Sequence, residues 1–328
     1  MSNRAPLPEH LGEAFTWARA RESGVSPSRL RAGDLEHPFR GVRMRAVEPG
    51  SEDAPTGASN QYGLQRDQEL ALIVALGRGL LPSQFLSHRS AALLWGAPMP
   101  WTKTPRLHAA AVRPATRPRI GGVTGHSIGA ERCEVRWHEG IPVADPAATW
   151  AMLAELPLVR LVAVGDFFAR RYRQGWGRPN PGRPPLAPLE DLQRAVSLGR
   201  WRGQRNLERA LPLIREDSWS PMESAVRIEL VTAGLPEPSL NVDLFGDDGS
   251  FLGCVDMAFA KYRIAVEYQS AMHSGSYAAD IEKIERLRAA GWIVIQVTSA
   301  LAARPRELVR RVAAELRSRG WTGSMHQA

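Results

Sequence analysis

Residues 251–268 read FLGCVDMAFAKYRIAVEY and contain the clearest strand pattern in the chain. Two runs rich in apolar and β-branched residues lie on either side of a short polar step, which predicts strands over 251–259 and 263–268. Alternate residues of a strand point to the same face of a sheet. The one acidic residue of each run, Asp256 and Glu267, can therefore be assigned to a face.

Asp256 and Glu267 are predicted to converge on a face lined by small side chains. Asp256 shares its face with Cys254 and Ala258, and Glu267 shares its face with Ala265. A buried acid between apolar neighbours is costly unless a cation lies beside it. Two carboxylates with backbone oxygen and water suit Mg²⁺, which polarises a phosphoryl oxygen and helps to deprotonate an attacking water. The alternative is a surface acid near a turn and an acid on an edge strand.

The sequence around these strands predicts a mixed sheet with helices on both faces. A helix begins at Ser220-Pro221, where serine caps the first turn and proline takes the first position, and it ends before Gly234. The remaining predicted elements are strands 241–245 and 292–298 and helices 277–290 and 305–319. The resulting order is α-β-β-β-α-β-α, which is an α+β (mixed α/β) fold.

The N-terminal segment has a different pattern. A helix over 15–22, a short helix over 27–32 and a strand over 39–44 follow the order of a small winged helix-turn-helix. An α+β middle region follows, and then a stretch with the proline, glycine and arginine content of a linker. The predicted division is 1–45 (winged helix), 66–170 (middle domain), 171–190 (linker) and 191–328 (C-terminal domain).

Composition limits the classes of function. The net charge of +8 favours an anionic partner such as nucleic acid, although a GC-rich genome that encodes arginine in place of lysine explains part of the bias. Cys133 and Cys254 are too few for a disulfide framework. No signal peptide or stretch of about 20 apolar residues is evident. We therefore expect a soluble, cytoplasmic protein with no membrane partner.

The region from about 220 to 319 resembles the restriction-endonuclease-like PD-(D/E)xK superfamily and, more closely, the Vsr-like endonuclease group common in actinobacterial proteins. The residues that carry the resemblance are 220–223, 234–238, 241–242, Asp256, 266–268, His273, Asp280 and 290–292. The resemblance implies a nuclease in which Asp256 and Glu267 bind Mg²⁺ or Mn²⁺, with the carbonyl of Tyr268 as a third ligand.

The sequence departs from the superfamily pattern at Gln269, where the superfamily has a lysine. Glutamine cannot supply the positive charge that stabilises a developing phosphorane. Lys283, on the following helix, is a substitute cation or part of a solvated helix face. His273 is a general base, a phosphate donor or an exposed loop residue. Glu223 is an accessory acid near the metal or simply half of a capping box with Ser220.

Residues 11–45 and 85–100 resemble AbiEi-type antitoxins with a winged-helix start. The resemblance implies that one set of side chains faces DNA and that the wing contacts phosphate. The side chains implied to face DNA are Ser26, Ser28, Arg29 and Arg31. The wing residues implied to contact phosphate are Arg40 and Arg43. The alternative is a small helical cap on the middle domain.

Three functions follow from these patterns. The first is a metal-dependent DNA endonuclease that acts on double-stranded DNA, as a monomer or a homodimer. The second is a non-catalytic, AbiEi-type DNA-binding regulator with a degenerate nuclease domain. The third is an RNA-processing enzyme on the same scaffold.

Overall fold

A computed structural model describes residues 5–45, 58–175, 178–269 and 277–326. The chain forms two compact units, and the predicted α+β class is confirmed. Unit 1 comprises Met1–Glu155 and Arg194–Arg202, and unit 2 comprises Leu156–Gln193 and Gly203–Ala328. This division differs from the predicted one, because the segments predicted as winged helix and middle domain fall largely together in unit 1. Within the described ranges, no helix is long and apolar enough to cross a membrane.

The N-terminal part of unit 1 contains a small antiparallel sheet of order β1-β3-β2 around a core that includes Leu11, Phe15 and Leu30. Its elements are β1 (Ala14–Thr16), α1 (Trp17–Glu22), β2 (Leu35–Glu36) and β3 (Val42–Arg45). The predicted helix over 27–32 is only a 3₁₀ turn, Arg29–Arg31. The predicted helix over 15–22 starts at Trp17, because the residues before it pair with β3.

The rest of unit 1 is a five-stranded sheet with helices, in the order β6-β5-β4-β8-β7. The elements are α2 (Ala58–Gly79), β4 (Gln84–Leu86), α3 (His88–Leu94), β5 (Leu107–Val112), β6 (Val123–Ile128), β7 (Val135–His138), β8 (Ile141–Ala144) and α4 (Pro146–Met152). The pattern of the sequence predicted β5 and the four-residue β7, but not β4, β6 or β8.

Unit 2 confirms the predicted α-β-β-β-α-β-α order, with one short helix added before the last. The elements from α5 onward are α5 (Leu158–Ala169), α6 (Leu189–Ser197, which crosses the division), α7 (Gln204–Ala210), α8 (Pro221–Thr232), β9 (Ser239–Phe245), β10 (Phe251–Phe259), β11 (Ile264–Tyr268), α9 (Tyr277–Ala289), β12 (Ile293–Val297), α10 (Ser299–Ala302) and α11 (Pro305–Ser318). The sheet order is β12-β11-β10-β9, with β11 and β12 parallel and the other pairs antiparallel.

Each face of this sheet packs against helices, as the strand alternation predicted. Met257 and Val266 lie in the core shared with α8 and α11, whereas Ala258 and Ala265 lie in the core shared with Ile284 of α9. Helix α8 starts as expected, because the Ser220 hydroxyl accepts a hydrogen bond from the Glu223 N–H. The face of small residues that carries the two acids is therefore the face under α9.

The segment predicted as a linker is held against unit 2. Its arginines form ion pairs with acids of the following segment and of β9. The pairs are Arg171–Glu216 at 2.9 Å, Arg173–Asp217 at 2.9 Å and Arg178–Asp243 at 2.7 Å.

Candidate active site

Asp256 and Glu267 lie on adjacent central strands. In the antiparallel pairing of β10 with β11, Met257 lies opposite Val266 and Ala258 opposite Ala265. One further step of this register places Glu267 opposite Asp256, at the short cross-strand separation that lets such side chains interact. β11 lies between β10 and β12, so Glu267 is not on an edge strand.

Lys283 of α9 contacts Glu267 from the face of the sheet that α9 covers. Its ammonium donates to Glu267 Oε2 at 2.9 Å and to the carbonyl oxygen of Cys254 at 3.3 Å. The Lys283 side chain is 19% exposed and that of Glu267 6%, so the pair is largely removed from solvent. Lys283 is therefore not on a solvated helix face.

Gly253 of β10 makes room for the Lys283 side chain. A Cβ at Gly253 would lie 2.6 Å from Lys283 Cγ and 2.8 Å from Cδ. The glycine also has φ +147°, a conformation that L-residues rarely adopt. The strand irregularity at Phe251/Gly253 thus lets the lysine stem lie close to the backbone of β10.

Glu223, at the start of α8, adds a third acid to the group. Its Oε2 accepts hydrogen bonds from the Trp219 N–H and from Asn241 Nδ2, both at 2.8 Å. The capping box is thus only half formed, because the Glu223 carboxylate binds Trp219 and not the N–H of Ser220. Asn241, one of the residues that carry the family resemblance, thereby orients the Glu223 carboxylate.

Burial and neighbouring acids raise the pKa of Asp256 and of Glu267. Burial raises the pKa of Asp256 well above its ordinary value, with further contributions from Glu267 and Glu223, although the Tyr268 N–H donates to Asp256 Oδ2 at 2.7 Å. Burial also raises the pKa of Glu267, against the opposing effect of Lys283. Burial alone would lower the pKa of Lys283, but Glu267, Asp256 and Asp280 outweigh it and raise it. A cation beside these acids would therefore favour their ionised forms.

The remaining predicted site residues lie at the end of β11 or after it. The backbone N–H of Gln269 donates to the Val297 carbonyl at 2.9 Å, which extends the pairing of β11 with β12 by one residue. Tyr268 contributes its N–H to Asp256, and the proposed role of its carbonyl stays a prediction. His273 lies outside the described residues.

Arg178 is a neighbour of the site that sequence reasoning missed. Its guanidinium lies 2.7 Å from Asp243, donates to the Asn241 carbonyl at 3.0 Å and lies 3.8 Å from the Cys254 sulfur. Cys254 shares the Asp256 face, so this cation lies at the rim of the carboxylate group. The proline-rich context of residues 171–188 suggested a linker, and only the high arginine content of that stretch signalled a role in binding.

The predicted DNA-contacting side chains of the N-terminal segment lie in unit 1, and several contact the protein itself. Arg29 forms a bidentate pair with Asp34, at 2.9 and 2.8 Å. Ser28 and Ser26 bond to each other at 3.0 Å. The guanidinium groups of Arg31 and Arg43 lie over the ring of Trp17. Arg40 is exposed and lines a cavity with Arg117 and Arg119.

The chemistry of the donor set fits a hard divalent cation. Glu267 Oε1 is buried and accepts no hydrogen bond from any residue in the described ranges. Two further carboxylates, Asp256 and Glu223, contribute to the same electrostatic environment. Such oxygen-rich groups are what Mg²⁺ and Mn²⁺ prefer in proteins.

No protein-family model matches the chain. Two curated relatives are each 27% identical to it over 208 residues, which is 61% of this chain and 70% of each relative. They are "Uncharacterized protein MT2308" of Mycobacterium tuberculosis strain CDC 1551 / Oshkosh and "Uncharacterized protein Rv2248" of strain ATCC 25618 / H37Rv. Neither name states an activity.

Proposed function

We propose that unit 2 is a metal-dependent endonuclease that hydrolyses phosphodiester bonds of double-stranded DNA. The observation that carries the proposal is the buried group of Asp256, Glu267 and Lys283, in which two acids of adjacent strands lie with one ammonium. The resemblance to PD-(D/E)xK nucleases and the net charge of +8 support a nucleic-acid substrate.

Lys283 takes the place of the lysine that is missing at Gln269. In the PD-(D/E)xK pattern that lysine follows the second acid by two positions on the same strand. Here the cation comes from α9, and its Nζ lies 2.9 Å from the acid of β11. A fixed positive charge at this position can stabilise the negative charge that develops on the phosphorus oxygens.

Asp256 and Glu267 would hold Mg²⁺ or Mn²⁺, with Glu223 as the adjacent acid. A bound divalent cation supplies Lewis acidity at the phosphate and lowers the pKa of an attacking water. Asn241 and the Trp219 N–H keep Glu223 oriented toward the group. Arg178, at the rim, is only 6% exposed and pairs with Asp243, so it holds its own segment against β9.

Cleavage of supercoiled plasmid by the purified chain tests this proposal. We expect nicking or cutting that requires Mg²⁺ or Mn²⁺ and is lost in Asp256→Ala and Glu267→Ala. Asp247→Ala is the matched control, because its carboxylate is 88% exposed and pairs only with Arg263 among the described contacts. Metal-dependent cutting that survives both site substitutions would contradict the proposed active site.

The second candidate is a DNA-binding regulator whose nuclease-like unit does not cut. The small β1-β3-β2 sheet with its adjoining helical turns is the observation that favours it. DNA retardation without cutting under any metal, together with no stabilisation by Mg²⁺, would favour this function over the nuclease. Competition of duplex RNA against duplex DNA separates both from an RNA-processing enzyme.

The compartment and assembly are also part of the proposal. Cys133 and Cys254 are free thiols, which suits a reducing, cytoplasmic compartment. A nuclease that cuts both strands of a duplex commonly uses two active sites, so we propose a homodimer on DNA. Sedimentation with and without a duplex measures this assembly.

A further inference from the structure

Unit 1 brings three of the chain's eight histidines together. His108 lies on β5 and His126 on β6, and these strands are parallel with Ala110 opposite His126. The two histidines are thus two register positions apart on one face. His88 is the first residue of α3. One ligand nitrogen from each ring lies within 4.8 Å of the other two.

The three rings are tightly arranged. His108 Nδ1 and His126 Nε2 are 2.9 Å apart, and the rings of His88 and His126 stack with centroids 3.8 Å apart. Zinc–nitrogen bonds of about 2.0–2.1 Å put the ligand atoms of a tetrahedral site roughly 3.3 Å apart. The ligand nitrogens thus already lie near the required separation, and the stacked rings must turn so that their lone pairs point at one ion.

The surrounding backbone and side chains fix the position of two of the rings. The Ser87 hydroxyl lies 3.1 Å from His88 Nδ1, as in metal sites where an outer partner orients a histidine ligand. The N–H of His108 donates to Ser90 Oγ at 2.9 Å, and its carbonyl accepts from the Ser87 N–H at 3.2 Å. His88 itself has φ +49°, an uncommon conformation that often marks a functional position.

We propose that His88, His108 and His126 form a binding site for a divalent transition-metal ion of the Zn²⁺ class, separate from the carboxylate group of unit 2. Three imidazoles suit Zn²⁺, Co²⁺ or Ni²⁺ and not Mg²⁺. Three protein ligands leave one position of a tetrahedral ion for water or another ligand.

The protonation state of the rings supports this site. Burial lowers the pKa of His88 to about 2 and that of His108 to about 4, with His126 adding to both effects. The imidazoles are therefore neutral near pH 7, which is the form that binds metal. The proton shared between His108 Nδ1 and His126 Nε2 moves to the other nitrogen of the same ring, so metal binding needs no net loss of a proton.

Nearby arginines oppose a cation only weakly. Arg89 is neutralised by Glu69 at 2.7 Å. Arg106 and Arg117, which also lower the pKa of the histidines, are exposed, so solvent and salt screen their charges.

The test is a titration of the untagged, metal-free full chain with Co²⁺ and Zn²⁺ at pH 7 in excess Mg²⁺, which occupies the carboxylate group. We expect one Co²⁺ per chain with the intense visible absorption of a four-coordinate ion, displaced by Zn²⁺. His126→Ala, on edge strand β6, should weaken Zn²⁺ binding at least about 100-fold. His37→Ala, an exposed histidine of the same unit, should leave it unchanged.

His126→Gln is a second variant that keeps a polar side chain of similar size at this position. The unfolding temperature of each metal-free variant shows whether it folds like the wild type. A wild-type chain with no four-coordinate Co²⁺ spectrum and no thermal shift with Zn²⁺ would overturn the proposal. Unchanged Zn²⁺ affinity and stoichiometry in a folded His126 variant would do the same. Asp256→Ala should bind Zn²⁺ like the wild type. The histidine site can therefore be confirmed or rejected whether or not unit 2 cleaves DNA.

Discussion

At the scale of single residues, the candidate site combines a strand pattern with a helix position. Alternation along β10 and β11 predicted that Asp256 and Glu267 share a face, because side-chain direction in a strand is fixed by position. The role of Lys283 stayed open, because the direction of a helix side chain depends on how the helix docks. In the structure, α9 packs so that the Lys283 ammonium lies 2.9 Å from Glu267 Oε2.

Replacement of Lys283 by methionine should slow DNA cleavage by about 10²–10³-fold, in the range seen when one stabilising donor is removed from an active site. The side-chain volume is kept while the charge beside Glu267 is lost. Single-turnover nicking rates at saturating Mg²⁺ measure the effect. Lys261→Met, which removes an exposed lysine of the same unit, is the control. Equal rates in the two variants would exclude Lys283 from the reaction.

Asp256→Asn should raise the unfolding temperature at pH 7 in the absence of divalent metal. The unfolded chain releases the Asp256 proton near its ordinary pKa of about 3.9, whereas burial keeps that proton on the folded protein to higher pH. The folded state thus binds more protons in this window, so its stability falls as pH rises through it. The neutral amide avoids this loss.

Thermal unfolding between pH 4 and 8 checks the sign for Asp256→Asn. The advantage of the variant should shrink toward pH 4, where the unfolded chain also begins to keep the Asp256 proton. Mg²⁺ should stabilise the wild type and not the variant. A variant that is less stable than the wild type at pH 7 without metal would contradict the assigned burial of this charge.

At the scale of elements, the sequence predicted those with strong periodicity and missed the short ones. The nine-residue β10 was predicted with its bounds, because its apolar content and flanking turn residues are clear. In contrast, β4 has three residues, β6 (VTGHSI) is polar and β8 (IPVA) contains a proline. These strands exist because neighbouring strands pair with them, which single-sequence periodicity does not report.

The irregularity of β10 at Gly253 predicts an effect on α9. Gly253→Ala should cost about 1–3 kcal/mol of stability, because φ +147° is unfavourable for alanine. The new Cβ also meets Lys283 Cγ, so cleavage should fall as well. Urea unfolding and nicking rates measure the two effects. Gly33→Ala, where nothing lies within 4 Å, is the control and should change neither.

At the scale of the whole molecule, the division of the chain was the hardest feature to predict. Composition placed a linker at 171–190, whereas unit 2 already begins at Leu156. Helix α5 packs against α8 of the same unit, and there Asp166 of α5 and Arg227 of α8 lie 3.4 Å apart, both nearly without solvent exposure. No local pattern links residues 61 positions apart, so the sequence did not reveal that α5 belongs to unit 2.

Asp166→Ala should therefore destabilise unit 2 by about 3–5 kcal/mol, the range for breaking a buried ion pair from one side. Asp166 also accepts hydrogen bonds from Ser224 Oγ at 2.6 Å and the Arg215 N–H at 2.7 Å, and these donors lose their partner too. Asp247→Ala, which removes an exposed partner of Arg263, should cost less than about 1 kcal/mol. Hydrogen exchange of the β10 and β11 amides measures the loss of stability in the sheet that carries Asp256 and Glu267. Equal exchange in the two variants would mean that α5 does not stabilise the sheet that carries Asp256 and Glu267.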